Sequence, residues 1–265
     1  MNKSLEIFLW LTLSGLLAGC STGIQTASFV PQEAVEIDGD GSEWLSHLQY
    51  DKKGQMGYAV ANDDAYLYLY FQLVDRMQMR KAIMQGSTIW IDPQGGKKKT
   101  LGIAYPLPAG REWRQSMRSD PQTGRPSRMP LTEILASQWE MELRYPKKDI
   151  VYRLPLDSQE GACLQLKASR SALLYELRLP LQIDLGQETL LTLAPGQAIG
   201  VGFETGEIQM DQMAGRMGGR PGMSGQMPMG GRPGGMGRTP GNRPGISEML
   251  EPFRLWINTE LAVPE

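Results

Sequence analysis

Histidine is almost missing from this chain: His47 is the single example in 265 residues. Zinc hydrolase sites and Ser-His-Asp triads need histidine in defined company, so its scarcity argues against both. Cysteine is nearly as rare. Cys20 and Cys163 are the two present, too few for a disulfide framework. No apolar run reaches the ~20 residues that span a bilayer; the most apolar stretch, residues 7 to 19, falls short. Charge of either sign is also not in excess, with 27 Lys and Arg against 29 Asp and Glu. Net charge therefore points to no nucleic-acid partner. No strand-helix-strand alternation is visible, and no glycine-rich phosphate loop follows a strand.

What is present begins with an address. Lys3 precedes the apolar residues Ile7 to Leu13, and small residues lead to Leu17-Ala18-Gly19-Cys20. A basic start, a short apolar segment and a small-residue ending make a secretory signal over 1–19. The ending resembles the lipobox of bacterial lipoproteins, which implies a diacylglycerol on Cys20 and a membrane anchor. Ser21 and Thr22 carry no acidic retention signal, so the expected location is the bacterial outer membrane. With Cys20 lipidated, Cys163 has no partner. Its strand-like setting, Ala162-Cys163-Leu164-Gln165-Leu166, reads as a small core residue. Residues 20–34 read as a Ser/Thr/Gln-rich tether.

Beyond the tether the pattern is that of short strands. A strand from Val35 runs into a turn at Asp38-Gly39-Asp40-Gly41, with Trp44 as an apolar anchor. Residues 57–61 and 66–73 flank an Asn62-Asp63-Asp64 turn. The second of these sorts with period two: Leu67, Leu69, Phe71 and Leu73 on one face, Tyr66, Tyr68, Tyr70 and Gln72 on the other. A brief helix is expected at 77–85 and another at 131–136. Further strands are expected at 87–93, 100–105, 140–145, 151–154, 162–168, 173–179, 198–205 and 253–258. The fold class is all-β, a β-sandwich over 35–265.

One segment cannot join a core. Residues 209–245 contain twelve glycines, seven methionines, five arginines and five prolines, and Gly-Gly-Arg-Pro-Gly occurs twice. The composition predicts a disordered loop inserted in the sandwich. Its arginines, at 216, 220, 232, 238 and 243, suit an anionic partner such as lipopolysaccharide or a neighbouring envelope protein, and its thioethers suit Cu(I). Neither histidine nor cysteine accompanies the methionines, so the expectation is no metal.

Ile37-Asp38-Gly39 with Trp44, Asn62 to Tyr68, Trp90 to Pro93 and Tyr175 to Leu181 follow one another in an order that resembles the family-nine carbohydrate-binding modules and their DOMON-like relatives. The resemblance implies a jelly-roll-like or DOMON-like sandwich that binds sugar or a small ligand without catalysis or cofactor. Tyr66, Tyr68, Tyr70, Trp90 and Trp256 are the candidate ligand-binding residues, because sugar rings offer apolar faces to aromatic planes. The competing reading packs these aromatics under the loops of 107–137. DOMON relatives also suggest haem on His47, which lacks a second ligand here. The carboxylates of the turns are explained by Asx hydrogen bonds, with structural calcium left open, and none pairs as acid and nucleophile.

Overall fold

The computed structural model describes residues 23–108, 131–158, 161–207 and 251–264. The strands are β1 (Ile24–Ala27), β2 (Gln49–Asp51), β3 (Met56–Asn62), β4 (Tyr66–Leu73), β5 (Ser87–Asp92), β6 (Leu101–Ala104) and β7 (Glu140–Tyr145). They continue as β8 (Ile150–Pro155), β9 (Cys163–Ala168), β10 (Leu173–Pro180), β11 (Gln182–Leu185), β12 (Glu188–Thr192), β13 (Ala198–Thr205) and β14 (Arg254–Glu260). Two helices, α1 (Arg76–Gln85) and α2 (Leu131–Ala136), join them. The β-sandwich expected from the sequence is present. A seven-stranded sheet runs β1-β14-β13-β5-β6-β7-β8 and a five-stranded sheet runs β2-β3-β4-β10-β9, with β11-β12 as a separate hairpin.

Alternation explains why the sheets face each other. Ile89 and Ile91 on β5, Val201 and Phe203 on β13 and Ile257 on β14 point inward from the large sheet. Leu67, Leu69, Phe71 and Leu73 on β4 meet them from the small one. Phe203 sits where the sheets touch, 5.4 Å from the ring of Phe71 and 5.2 Å from that of Tyr175. Chain neighbours β4 and β5 belong to different sheets, and α1 carries the chain between them. Its start is fixed by Asp75, whose side chain accepts from the Gln78 N–H at 2.8 Å. Its end is Gly86, at φ +80, where a Cβ would come within 2.8 Å of the Pro106 carbonyl oxygen. Met79, Ala82 and Ile83 of α1 and Ile134 and Leu135 of α2 pack on the same core.

The N-terminal region differs from its sequence reading in two ways. Within the stretch read as a tether, Ile24–Ala27 forms β1, an edge strand parallel to β14 with Ile24 opposite Ile257. The expected strand at Val35 is absent. Residues 29–48 instead lie as an irregular layer over the outer face of the small sheet, with Phe29 bridged to Ala61 on β3. Val35 and Ile37 pack there beside Trp44. The chain covers a sheet face at this point and adds no strand to it. The expected disordered loop, 209–245, lies outside the described residues, as does most of the loop region of 107–137.

Candidate functional site

The five aromatic candidates divide between opposite faces of the sandwich, so they do not form one platform. Tyr66, Tyr68 and Tyr70 are on the outer face of the small sheet, where the irregular layer covers them. Tyr68 is 6 % exposed and Tyr70 2 %. Trp44 stacks on Tyr70, with centroids 5.5 Å apart and planes at 14°. The Tyr68 hydroxyl donates to Asp63 at 2.7 Å, and Arg178 lies 5.0 Å over the Tyr66 ring. Burial, with the carboxylates of Glu176, Glu43 and Asp40, pushes the Tyr70 phenol up to about 12. This is a second small core. Among the described residues its cover is 29–48; most of the loop region of 107–137, the cover in the competing sequence reading, lies outside them.

Beneath the layer lies a group that the sequence reading did not single out. Glu176, on the outer face of β10, is fully buried. One carboxylate oxygen accepts from the backbone N–H groups of Asp38 (3.0 Å) and Gly39 (2.7 Å), which pins the Ile37-Asp38-Gly39 turn to the sheet. Gly39, at φ +78, makes that approach without a side chain. The other oxygen has no partner among the described residues. Desolvation raises the Glu176 pKa above the usual carboxylate value. The Glu43 and Asp38 charges raise it further, and the Gly39 hydrogen bond offsets only part of the rise.

A raised carboxyl pKa in the fold means that the folded state holds the proton more readily than the unfolded chain. The cost of an ionised Glu176 is present above the folded pKa and is relieved as pH falls through it toward 4.5. Glu176→Gln removes this dependence while keeping an acceptor for Gly39. Urea midpoints of the two proteins at pH 7.5 and pH 5 are expected to show wild type gaining on the variant at the lower pH. An unchanged difference would mean that Glu176 carries no such penalty.

Trp90 and Trp256 lie on the outer face of the large sheet. Register places Trp256, Gly202, Trp90, Gly102 and Arg144 in one row across β14, β13, β5, β6 and β7. A Cβ on Gly202 would come within 2.8 Å of the Trp256 ring, and one on Gly102 within 2.6 Å of the Trp90 ring. Each indole therefore lies flat across a glycine of the next strand. Two strand spacings of ~4.8 Å separate them, about 10 Å.

Polar groups converge on Trp90. Its indole N–H donates to Glu204 at 3.0 Å. Burial alone would raise the Glu204 pKa, but the ion pairs to Lys99 and Arg254, both 2.5 Å, outweigh it and hold the carboxyl below its usual range. Lys99 reaches across the Trp90 ring, 5.3 Å from its centroid. Arg144 is held by Glu142 (2.8 Å) and reaches Thr88 at 3.4 Å. Beside these lies a cleft of about 320 Å³, lined by Thr88, Trp90, Lys99, Pro106, Arg144 and Glu204 among others. Trp90 itself is 7 % exposed, so a ligand reaches its face only when Lys99 swings aside. A partly exposed ion pair opposes that motion by about 1 kcal/mol at most.

The remaining candidates have structural surroundings. His47 stacks on Phe29 at 3.7 Å. Cys163 is buried, with its thiol 3.9 Å from Asp157. Among the described residues, no group of three His, Cys, Asp or Glu side chains is arranged to hold a metal ion. Cys20 and the methionines of 209–245 lie outside those residues.

No protein-family model matches the chain, and no curated protein matches it. Among solved structures it is similar to a family-nine carbohydrate-binding module from Caldicellulosiruptor kristjanssonii in complex with glucose. That likeness has 12 % identity and a TM-score of 0.31, over 70 % of this chain and 81 % of the module. A family-nine module from the same organism in complex with cellotriose gives 11 % identity and a TM-score of 0.32, over 68 % and 75 %.

Proposed function

We propose that this chain is a non-catalytic carbohydrate-binding protein that takes its ligand on the outer face of the seven-stranded sheet, held to the bacterial envelope by lipid on Cys20. The observation that carries the ligand reading is the row of two indoles laid flat over Gly202 and Gly102. Flat aromatic planes present a broad apolar surface to the C–H face of a pyranose, while Glu204, Arg144, Lys99 and Thr88 offer donors and acceptors to its hydroxyls. The cleft volume suits one or two sugar rings. The charged residues lining it, Lys99, Arg144, Glu204 and Glu207, each have a partner of opposite sign, which favours a neutral saccharide over an ionic ligand.

Tyr66, Tyr68 and Tyr70 drop out of the binding surface because they lie on the opposite sheet and pack against Phe29, Val35, Ile37 and Trp44 of the irregular layer. Trp90 and Trp256 remain. Glycan-array binding of the chain from Ser21 onward tests the reading, since every strand of the fold begins after that residue. Trp90→Ala and Trp256→Ala are each expected to weaken a positive signal about tenfold or more, with circular dichroism unchanged. No signal on any glycan, or a signal indifferent to both substitutions, would remove this face as a sugar site.

A further inference from the structure

Four chain segments meet at one end of the sandwich: the β2–β3 turn, α1, the β9–β10 turn and the approach to β14. The Val74 N–H donates to the Gln55 carbonyl at 3.4 Å, which joins the β2–β3 turn to the start of α1. Leu73, at the end of β4, pairs with Leu173, and Leu173 pairs with Ala168, so the β9–β10 turn lies at the same end. Lys81 of α1 donates from Nζ to the Glu251 carbonyl at 2.9 Å, which ties the approach to β14 to the helix. Helix α1 crosses this end from β4 to β5. It buries Met79, Ala82 and Ile83 against the core and exposes Arg76, Met77 and Arg80 on the face turned away.

This end is basic. Residues 50–55, 74–85, 169–172 and 251–254 together hold seven lysines and arginines against three acids. Two of the acids, Asp51 and Asp75, already accept the backbone N–H groups of Gly54 and Gln78. Lys52, Lys53, Arg76, Arg80 and Arg170 are exposed, and among the described residues none of them forms an ion pair. The whole chain has 29 acids against 27 bases, so the excess is local. Met77 is 42 % exposed and Tyr50 50 %, an apolar and an amphipathic side chain set among the charges. Basic residues with a few apolar or aromatic neighbours are what settles on an anionic bilayer surface. From the β2–β3 turn to the β9–β10 turn is three strand spacings, about 15 Å. The ten residues of α1 span a similar length.

We infer that this end is a contact surface for the phosphate headgroups of anionic phospholipid in the bilayer that carries the chain. The inference rests on the proposed lipid at Cys20 for its membrane. β1 runs parallel to β14, which starts at this end, so the chain enters the sheet travelling away from it. A lipid upstream of β1 therefore favours this end as the one turned to the bilayer. At physiological salt the attraction fades within about 8 Å. It orients a domain that lipid already holds close, and it lets go of one held by a longer spacer.

The test uses the chain from Ser21 onward, which carries no lipid, so its outcome is independent of the modification of Cys20. Its probe is sedimentation with vesicles of equal parts phosphatidylglycerol and phosphatidylcholine, at about 0.1 M salt, where the screening length is about 10 Å. Wild type is expected to sediment with these vesicles and not with phosphatidylcholine alone. A Lys or Arg near an anionic surface contributes roughly a fivefold gain in partition, so Lys53→Gln, Arg76→Gln and Arg80→Gln combined should weaken it at least about tenfold. Lys97→Gln, Lys98→Gln and Lys147→Gln remove the same charge from the β5–β6 and β7–β8 turns, at the other end of the large sheet. They are expected to change partition less than about twofold. Equal losses in the two triple variants overturn the inference, as does a wild type that ignores the anionic vesicles. Lysine acylation of the unsubstituted chain gives a reading that needs no variant. Anionic vesicles are expected to slow modification of Lys52 and Lys53 severalfold and to leave Lys97 and Lys147 unchanged. Equal protection at both ends overturns the inference. Failed fatty-acid labelling of Cys20 with vesicle binding intact would remove the anchor and leave this surface standing.

Discussion

Asn62→Ala is expected to destabilise the fold by ~2–4 kcal/mol, the sum of several buried hydrogen bonds that lose a partner together. Asn62 ends β3 and is fully buried. Its side-chain oxygen accepts from the Ala262 N–H at 2.8 Å and from the Ser28 hydroxyl at 2.6 Å. Its amide nitrogen donates to the Ala262 carbonyl at 2.9 Å. One side chain thus ties the small sheet both to the chain beyond β14 and to the chain beyond β1, in the large sheet. Alanine leaves the Ala262 amide, the Ala262 carbonyl and the Ser28 hydroxyl without their partner in a site that a methyl group cannot fill. Asn62→Asp keeps the acceptor and loses the donor, so it should lose stability too. Urea unfolding checks this, and a midpoint shift worth less than ~0.5 kcal/mol for the alanine variant would show that the two sheets are tied elsewhere.

Asn62 also illustrates what was legible in the sequence. It reads there as the first residue of an Asn-Asp-Asp turn, whereas it is the last residue of β3, paired with Leu67, and its 200-residue reach to Ala262 leaves no local trace. The alternation of β4 assigned its inner and outer faces correctly, because period two is a property of the strand itself. What covers an outer face is not. Tyr68 and Tyr70 stand outward as the pattern says, yet residues 29–48 return over them, so outward does not mean exposed. Glu176 follows the same logic. An acid at an outward position of β10 looks solvated until the Asp38-Gly39 turn closes over it. β1 leaves little signal in the sequence because Ile24-Gln25-Thr26-Ala27 is half polar, as an edge strand can be. The β11–β12 hairpin is not among the strands expected from the sequence; Gly186, at φ +67, marks its turn. Trp90 and Trp256 came together through strand order, β5-β13-β14, which no window along the chain contains. The glycines under their rings were visible only as weak positions in strands until register placed each beside an indole.

Cys20→Ala is expected to shift the protein wholly from the membrane fraction to the soluble fraction, or to leave it unprocessed, and β1 gives that expectation a geometry. Acyl chains contribute ~0.8 kcal/mol per buried CH₂, and two chains make anchoring stable where one is marginal. Among the described residues no helix is long and apolar enough to cross a membrane. Because β1 begins at Ile24, only three residues separate Cys20 from the sheet, a span of ~10–14 Å at full extension. The anchored domain would then ride close against the headgroups, where the expected tether would have let it stand off. The start of β14, to which β1 runs parallel, would face the bilayer, and the Asn62–Ala262 end would face away. Two measurements separate these statements. Metabolic labelling with a fatty-acid analogue that fails to mark the wild-type chain would overturn the lipid. Inserting a ten-residue Gly/Ser spacer after Thr22 should leave labelling intact and increase protease access to the β2–β3 turn, which lies at the bilayer-facing end. Unchanged access with labelling intact would show that the domain already stands clear of the surface.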